Sequence, residues 1–318
     1  MTLGTILVTF SVPLLAVLAD SVLGDPQNFP HPVRLIGKIL NSLEKLIRRV
    51  ELDLYIAGWV TLLLLTLGAW SLVAFLTALP YLGFLLSIYL SYAGLALGCL
   101  VQESRKVVHQ LEIGDLNGAR KELSMLVSRD TTTLDEDGIR QTLAETLSEN
   151  LNDGFVAPLF YLTLLGPEGL WVYKVVSTMD SMWGYKTEKY RILGYAAAKI
   201  DDILAFFPAR ITAYSLLMIG RLRKLQSVQA VQSFPSDARK MESPNAGWPM
   251  AATAWLLGGQ MGGRTVYFGE IKEKPILGPR GQKWTKEMIS ELFLISKSTG
   301  YLVSCLFIVI LPWLRFLL

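Results

Sequence analysis

Charge is scarce in this 318-residue chain. Only 18% of its residues are Asp, Glu, Lys or Arg, against about 25% in soluble domains, while 52% are hydrophobic. That balance excludes an ordinary soluble domain and points to a membrane protein. The formal net charge is only +3, so a nucleic-acid partner has no compositional support. Cysteine is nearly absent: Cys99 and Cys305 lie far apart in apolar runs. A disulfide framework and a thiolate metal site are thereby excluded, and both residues read as small buried hydrophobes. No P-loop, G-x-S-x-G, HExxH or GxGxxG pattern occurs, so a nucleotide would have to be held in some other way. The first apolar segment lacks a basic n-region and an A-x-A site, which sets aside a cleaved signal peptide. Strand patterns are scarce, and there is neither an internal repeat nor a low-complexity segment.

Apolar sequence is what the chain has in abundance. Leu54 to Gln102 runs for 49 residues without Asp, Glu, Lys, Arg or His, enough for two spans of about 20 residues. Pro80-Tyr81 near its middle reads as a tight break between two helices. Thr2 to Ala19 and Ser298 to Leu314 are shorter candidates, near the lower limit of spanning length. The segment Arg34–Asp53 carries Arg34, Lys38, Lys45, Arg48 and Arg49, and the positive-inside rule makes it cytoplasmic. The N-terminus and the Pro80 tip then lie outside, and Glu103 to Lys297 lie inside.

Two more apolar runs carry helix breakers. Phe155 to Val172 contains Pro158 and Gly166-Pro167-Glu168-Gly169, and Leu204 to Ile219 contains Pro208 and Arg210. If both crossed, the basic stretch from Lys174 to Asp202 would lie outside, against the same rule. Both are therefore expected to be buried or re-entrant helices that do not cross. The expected fold class is an all-α polytopic membrane protein, with about four spans plus these helices and a cytoplasmic helical region. Residues 1–102 form a membrane region with three spans and a cytoplasmic loop at 24–53. Residues 103–297 form a cytoplasmic and membrane-apposed catalytic region, and 298–318 a last membrane helix.

Within 103–297, Arg105 to Val127 reads as two short helices around the turn GDLNG. TLDED then suits an N-cap at Thr133 or Asp135, followed by a helix through Ile139, Leu143 and Leu147. Gln226 to Glu242 reads as a polar loop, and Gly262 to Lys286 as an exposed lobe or lid.

Glu145, Glu149 and Asp153 recur at i, i+4 and i+8, so a regular helix puts them on one face, where like charges repel. A solvated acidic stripe is the plain alternative. Here the stripe runs straight into FVAPLFYLTLL, and acids at the mouth of a buried helix are usually paired or hold a metal. Asp180 lies among Met179, Ser181, Met182 and Trp183. Asp201 and Asp202 precede an apolar helix, whose dipole offsets the charge of one of them. Arg34, Arg129, Lys186, Lys189, Arg191 and Arg210 each stand beside one of these acids. Cation clamps with carboxylate-held Mg²⁺ suit phosphoryl chemistry. Interfacial snorkelling is the alternative; it fits Lys38, Lys45, Arg48 and Arg49 well and Arg210 poorly. His31 stands between two prolines, a rigid position for a phosphate or substrate contact.

Together LADSVLGDPQNFPHPVRLIG, SRDT, ENLNDGFVAPLFY, STMDSMWGYKTEKYR, KIDDILAFFPAR and SPNAGWPMAA resemble the CbiB/CobD family of cobalamin biosynthesis, the adenosylcobinamide-phosphate synthases. The resemblance runs from about Asp20 to Gly278. It implies an inner-membrane, multi-pass enzyme with its active site on the cytoplasmic face. The implied reaction joins adenosylcobyric acid to (R)-1-aminopropan-2-ol or its O-phosphate, with ATP and Mg²⁺ driving the amide bond. Glu149, Asp153, Asp180 and Asp202 are the expected catalytic acids. Glu149, Asp153, Asp180 and Asp201 are the expected metal ligands. Asp25, His31, Arg34, Arg129, Asn150, Lys186, Lys189, Arg191, Arg210 and Asn245 are the expected substrate contacts. Membrane lipids are expected partners, with a homo-oligomer or a complex with later nucleotide-loop enzymes compatible with this role. The chain departs from the family pattern at Ser177, where asparagine is common, and at Met241, where histidine is frequent. Leu151 and Asn152 replace a serine and a threonine often seen inside ENxxDG.

Two rival readings remain. A Mg²⁺-dependent membrane phosphotransferase would use the same acids, though the D-G-x2-A-R signature of CDP-alcohol enzymes is absent. A non-catalytic corrinoid-binding membrane protein would share the fold.

Overall fold

The structure is a computed structural model and describes residues 3–24, 31–267 and 270–315. It separates into two compact units. The first comprises residues 1–96, 157–205 and 304–318, the second residues 97–156 and 206–303.

The first unit is built around α3 (Leu54–Thr77). Asp53 starts this helix by accepting the Ile56 N–H at 2.9 Å, and no charge follows until its end. After Pro80 and Tyr81, the latter at φ +65°, the chain returns as α4 (Gly83–Gly94), which is the expected helical hairpin. α1 (Leu3–Leu23) packs along α4. α2 (Pro32–Arg49) and α9 (Tyr195–Leu204) pack on α8 (Ala157–Trp183). Gly58 lets α3 approach the Leu193 carbonyl, where a Cβ would collide with that oxygen.

α8 reverses at Gly166, which has φ +84° and is followed by Pro167. A straight helix would separate Tyr161 from Tyr173 by about 18 Å. Their rings instead stack with centroids 5.3 Å apart, so 157–165 and 167–183 form a helical hairpin. Glu168 at its tip accepts a 2.8 Å hydrogen bond from Thr77 Oγ1 at the end of α3. At the other end, Lys189 beyond the return helix pairs with Glu44 of α2. The run 155–172, expected to be a buried or re-entrant helix that does not cross, reaches the far end of α3 and comes back. The basic stretch nevertheless lies beside α2, as the charge rule required.

In the second unit, α5 (Leu97–Glu112) and α6 (Leu116–Ser124) form the expected pair around GDLNG. Asp135 caps α7 (Glu136–Leu151) through the Gly138 N–H at 2.8 Å, and Ile139, Leu143 and Leu147 are fully buried. A π-helical turn, Asn152–Val156, follows. α10 (Phe206–Leu222), α11 (Ser227–Ala238) and α12 (Gly247–Leu257) pack together. The strands β1 (Met261–Tyr267) and β2 (Glu270–Leu277) pair antiparallel, with Gly263 opposite Lys274. α13 (Lys286–Arg315) closes the chain.

Several expectations change. The 226–242 loop is largely α11, whose Ala230, Phe234 and Ala238 are buried. The 262–286 lobe contains a β-hairpin whose ends, Met261 and Leu277, are buried, as is Trp284. Asp201 and Asp202 lie in the last turn of α9, not at the start of α10. The two helices meet at Ala205 with a 47° bend, the geometry of a broken span or re-entrant loop. Cys99 is half-buried and Cys305 exposed, because a lipid-facing helix need not bury its apolar side chains in protein.

Among the described residues four helical stretches are long and apolar enough to cross a membrane: Leu54–Thr77, Gly83–Glu112, Glu136–Trp183 and Lys286–Trp313. The total matches the expected four spans. The membership does not: the described apolar part of α1, Leu7–Leu23, is shorter, and the stretch containing the α8 hairpin takes its place. The chain is a mostly helical, multi-pass membrane protein.

Candidate functional site

In the second unit, α7 carries two carboxylates one turn apart with opposite surroundings. Glu145 is buried and fully engaged. Arg129 Nη2 donates to its Oε2 at 2.5 Å, while Gln141 Nε2 and the Gly262 N–H donate to Oε1 at 2.9 and 2.8 Å. Arg129 Nη1 also reaches Thr142 Oγ1 at 3.3 Å. Gln141 holds the Gly262 carbonyl at 2.7 Å, and the Asp130 N–H holds the Val266 carbonyl at 3.0 Å. One ion pair therefore ties SRDT, α7 and the β-hairpin together. Gly262, at φ +81°, is required there, since a Cβ would run into the Pro275 carbonyl.

Glu149 is half-buried, and no donor among the described residues hydrogen-bonds its carboxylate. The charges acting on it are Lys274 of β2, Glu145 and Arg129. The π-helical turn begins three residues later, so the regular i, i+4 spacing applies to Glu145 and Glu149 but is interrupted at Asp153. Asp153 Oδ1 accepts from Asn152 Nδ2 at 2.7 Å, and Asn152 Oδ1 accepts from Thr212 Oγ1 of α10 at 3.0 Å. Asn150 turns back to donate to the Thr146 carbonyl at 2.9 Å.

Two residues further back on α10, Arg210 lies over the rings of Phe206 and Trp248, 3.7 and 4.5 Å from their centroids. Its Nη1 donates to Asn245 Oδ1 at 2.6 Å, and its Nη2 to the Pro244 carbonyl at 3.0 Å. The sequence-derived pair Arg210 and Asn245 is thus in direct contact. Cation–π packing of this kind contributes roughly 0.5–2 kcal/mol, which fixes a charge that would otherwise be costly in an apolar helix.

The first unit holds the other candidates. Asp25 lies outside the described residues. His31 caps α2, its Nδ1 accepting the Val33 N–H at 3.3 Å, with Pro32 in the first helical position. This accounts for His31 and Pro32 as helix-start chemistry. Arg34 is exposed one turn later. Lys189 contacts Glu44 at 2.9 Å and Tyr190 Oη at 2.7 Å, and Arg48 donates to Glu44 at 3.0 Å and to the Lys189 carbonyl at 2.5 Å. Burial opposes ionisation of Glu44, but the hydrogen bonds from Lys189 and Arg48 outweigh it and hold its pKa below the usual value. Lys189 therefore has a role in docking α2. Asp180 is near the end of the α8 return helix, Lys186 and Arg191 follow it, and Asp201 and Asp202 sit on α9.

Among the described residues no three His, Cys, Asp or Glu side chains gather as a metal site. A Mg²⁺ carried on a nucleotide would need only one or two carboxylates, with phosphate and water completing its shell. Glu149, which no donor among the described residues hydrogen-bonds, and Asp153, in the π-helical turn that follows, are the two carboxylates here of the type that would take this role.

A model of the CobD/Cbib protein family matches residues 13–295, which takes in every candidate above. The chain belongs to the CobD/CbiB family. Among its relatives is the cobalamin biosynthesis protein CobD of Klebsiella pneumoniae, 37% identical over 307 residues, covering 94% of this chain and 96% of the relative. The proteins of the same name from Clostridium perfringens and Pelobacter propionicus are 38% and 41% identical. They cover 85% and 84% of this chain, and 88% and 84% of their own lengths. No solved structure matches. The chain is thus an enzyme of cobalamin biosynthesis embedded in a membrane.

Three residues in the surroundings of these candidates were not singled out in the sequence. Lys274 sits on β2, in a segment read as an exposed lobe or lid. Phe206 read as one more apolar residue. Asp237 receives Lys240 Nζ at 2.5 Å, Trp255 Nε1 at 2.8 Å and the Gly278 N–H at 2.9 Å. It ties α11, α12 and the end of β2, and lay in a segment read as a loop.

Proposed function

We propose that this chain catalyses ATP-dependent amide-bond formation between adenosylcobyric acid and (R)-1-aminopropan-2-ol O-phosphate or aminopropanol, at the cytoplasmic face of the inner membrane. Amide formation from a carboxylate at neutral pH requires activation, and phosphoryl transfer from ATP, assisted by Mg²⁺, would supply it. The observation that carries the reading is the contrast along α7: Glu145 is committed to Arg129, while Glu149 one turn on has no donor among the described residues and lies within the electrostatic reach of Lys274.

In this reading Glu149 and Asp153 hold the nucleotide's Mg²⁺, and Lys274 balances charge on its phosphates. Arg129 acts through Glu145, keeping α7 and the hairpin in register. Arg210, fixed by Phe206, Trp248 and Asn245, presents a preorganised cation to an anionic group of substrate, and Asn150 lies on the same helix as Glu149. Asp153 or Asp180 is proposed to receive the proton of the attacking amine, with Asp202 a further catalytic acid and Asp201 a further metal ligand. His31, Arg34, Lys186 and Arg191 are proposed phosphate or corrinoid contacts.

The test uses detergent-purified protein with adenosylcobyric acid, ATP and Mg²⁺, supplied with either amine, and weighs the corrinoid product. A mass gain of one amine residue with phosphate released from ATP is expected. Corrinoid binding with no product from either amine would overturn the ligase and leave the binding-only reading.

A further inference from the structure

α2 has two apolar faces, and only one is used inside the protein. Leu40 and Ile47 are buried with Val176, Met179 and Trp183, and Ile36 and Leu43 pack against the same cluster. Glu44 is on this side too, held by Lys189 and Arg48. On the other side Leu35, Ile39, Ser42 and Leu46 recur at i, i+4, i+7 and i+11, so they form one stripe. Leu35, Ile39 and Leu46 are 59%, 38% and 54% exposed. Arg34, Lys38, Lys45 and Arg49 flank that stripe and are all exposed. No carboxylate among the described residues pairs with Lys38, Lys45 or Arg49, and no acid lies on this side of the helix. Four residues after Arg49, Asp53 caps the spanning helix α3.

We infer that α2 lies in the plane of the membrane interface, with Leu35, Ile39 and Leu46 among the upper acyl chains and Lys38, Lys45 and Arg49 on anionic phospholipid headgroups. An apolar stripe edged by cations is the composition of an interfacial helix. Its direct continuation into α3 holds it at the level where a bilayer begins. The basic edge, without acids to neutralise it, selects an anionic surface over a neutral one. The long side chains reach headgroups while their stems cover apolar surface. This docking is independent of the amide chemistry. Its consequence is that the segment carrying His31 and Arg34 is held at the bilayer surface.

The test uses full-length protein carrying Cys99→Ser and Cys305→Ser, with Ile39→Cys labelled by a bimane fluorophore. It is reconstituted in vesicles of phosphatidylcholine with or without phosphatidylglycerol. A parallel protein carries the label at Lys121→Cys on α6, and Leu35→Cys replaces Ile39→Cys if the latter misfolds. Nitroxide lipids labelled near the headgroup should quench the Ile39 probe several-fold more than aqueous iodide does. The quenching should rise with phosphatidylglycerol, and that rise should vanish in the Lys38→Gln, Lys45→Gln, Arg49→Gln variant. A probe as open to iodide as the one at position 121 would overturn the inference. So would a probe shielded from both quenchers, which would mean a protein partner, or quenching indifferent to phosphatidylglycerol.

Discussion

The charged cluster on α7 and the one on α2 look alike in sequence, each an acid with basic residues nearby, yet they have different work. On α2, Glu44 takes Arg48 from its own helix and Lys189 from 145 positions away, and all three serve docking. On α7, Glu145 is committed to the buried Arg129 and to the Gly262 N–H of the hairpin, whereas no donor among the described residues hydrogen-bonds Glu149. In the proposed reading, function falls to the members of a charge cluster that are not already committed to structure. A residue count would have ranked the two clusters equally.

That comparison is easiest to break at Glu145. Removing one partner of a buried pair strands the other charge, so Glu145→Ala should destabilise the protein by about 3–5 kcal/mol. Thermal unfolding in detergent would read this. Glu149→Gln should leave the melting temperature nearly unchanged and lower turnover by about 100-fold or more, as loss of a preorganised electrostatic contact does. If the two variants behave alike, the distinction fails.

Arg210→Lys keeps the charge and loses the planar fork over Phe206 and Trp248. It should weaken substrate saturation by about tenfold, corresponding to roughly 1.4 kcal/mol, with a small change in stability. Steady-state kinetics would show the change in KM. Lys274→Ala should reduce turnover, whereas Lys272→Ala, whose partner Glu242 is also exposed, should change stability by no more than about 1 kcal/mol. Equal kinetic effects at the two positions would remove Lys274 from the site.

The smallest effect is the pH dependence of the α2 cluster. The pKa of Glu44 is lowered from 4.5, so its contribution is present above that value and fades as pH falls through the folded one. Lys189 is raised from 10.5, so its contribution is present below that value and fades as pH rises through the folded one. The melting-temperature difference between wild type and Glu44→Gln should therefore be level near neutrality and shrink at both extremes. A difference that grows in acid would contradict the ion pair.

The helices were legible where charge is missing or where an acid caps a hydrophobic period. α3 begins at Asp53 and α7 at Asp135 for those reasons, and the break at Pro80-Tyr81 follows from local chemistry. The reversal at Gly166 was visible only as a breaker; its depth is set by Thr77 meeting Glu168, 91 positions apart. α11 was hidden because its polar composition matched a loop, and its helix is held by tertiary burial of Phe234 and Asp237. The contact partners Arg210 and Asn245 were both named from motifs in the sequence, but the commitment of Lys189 to Glu44 was not. Partnership over such separations leaves no local mark.

The most direct measurement is amide formation by wild type and Glu149→Gln at matched folded concentration, with product weighed by mass spectrometry and unfolding followed in parallel. The account predicts a corrinoid–aminopropanol product from wild type and a large loss of rate with an unaltered melting transition in the variant. Full turnover in Glu149→Gln would contradict the assignment of the site, and no product from folded wild type with either amine would contradict the proposed reaction itself.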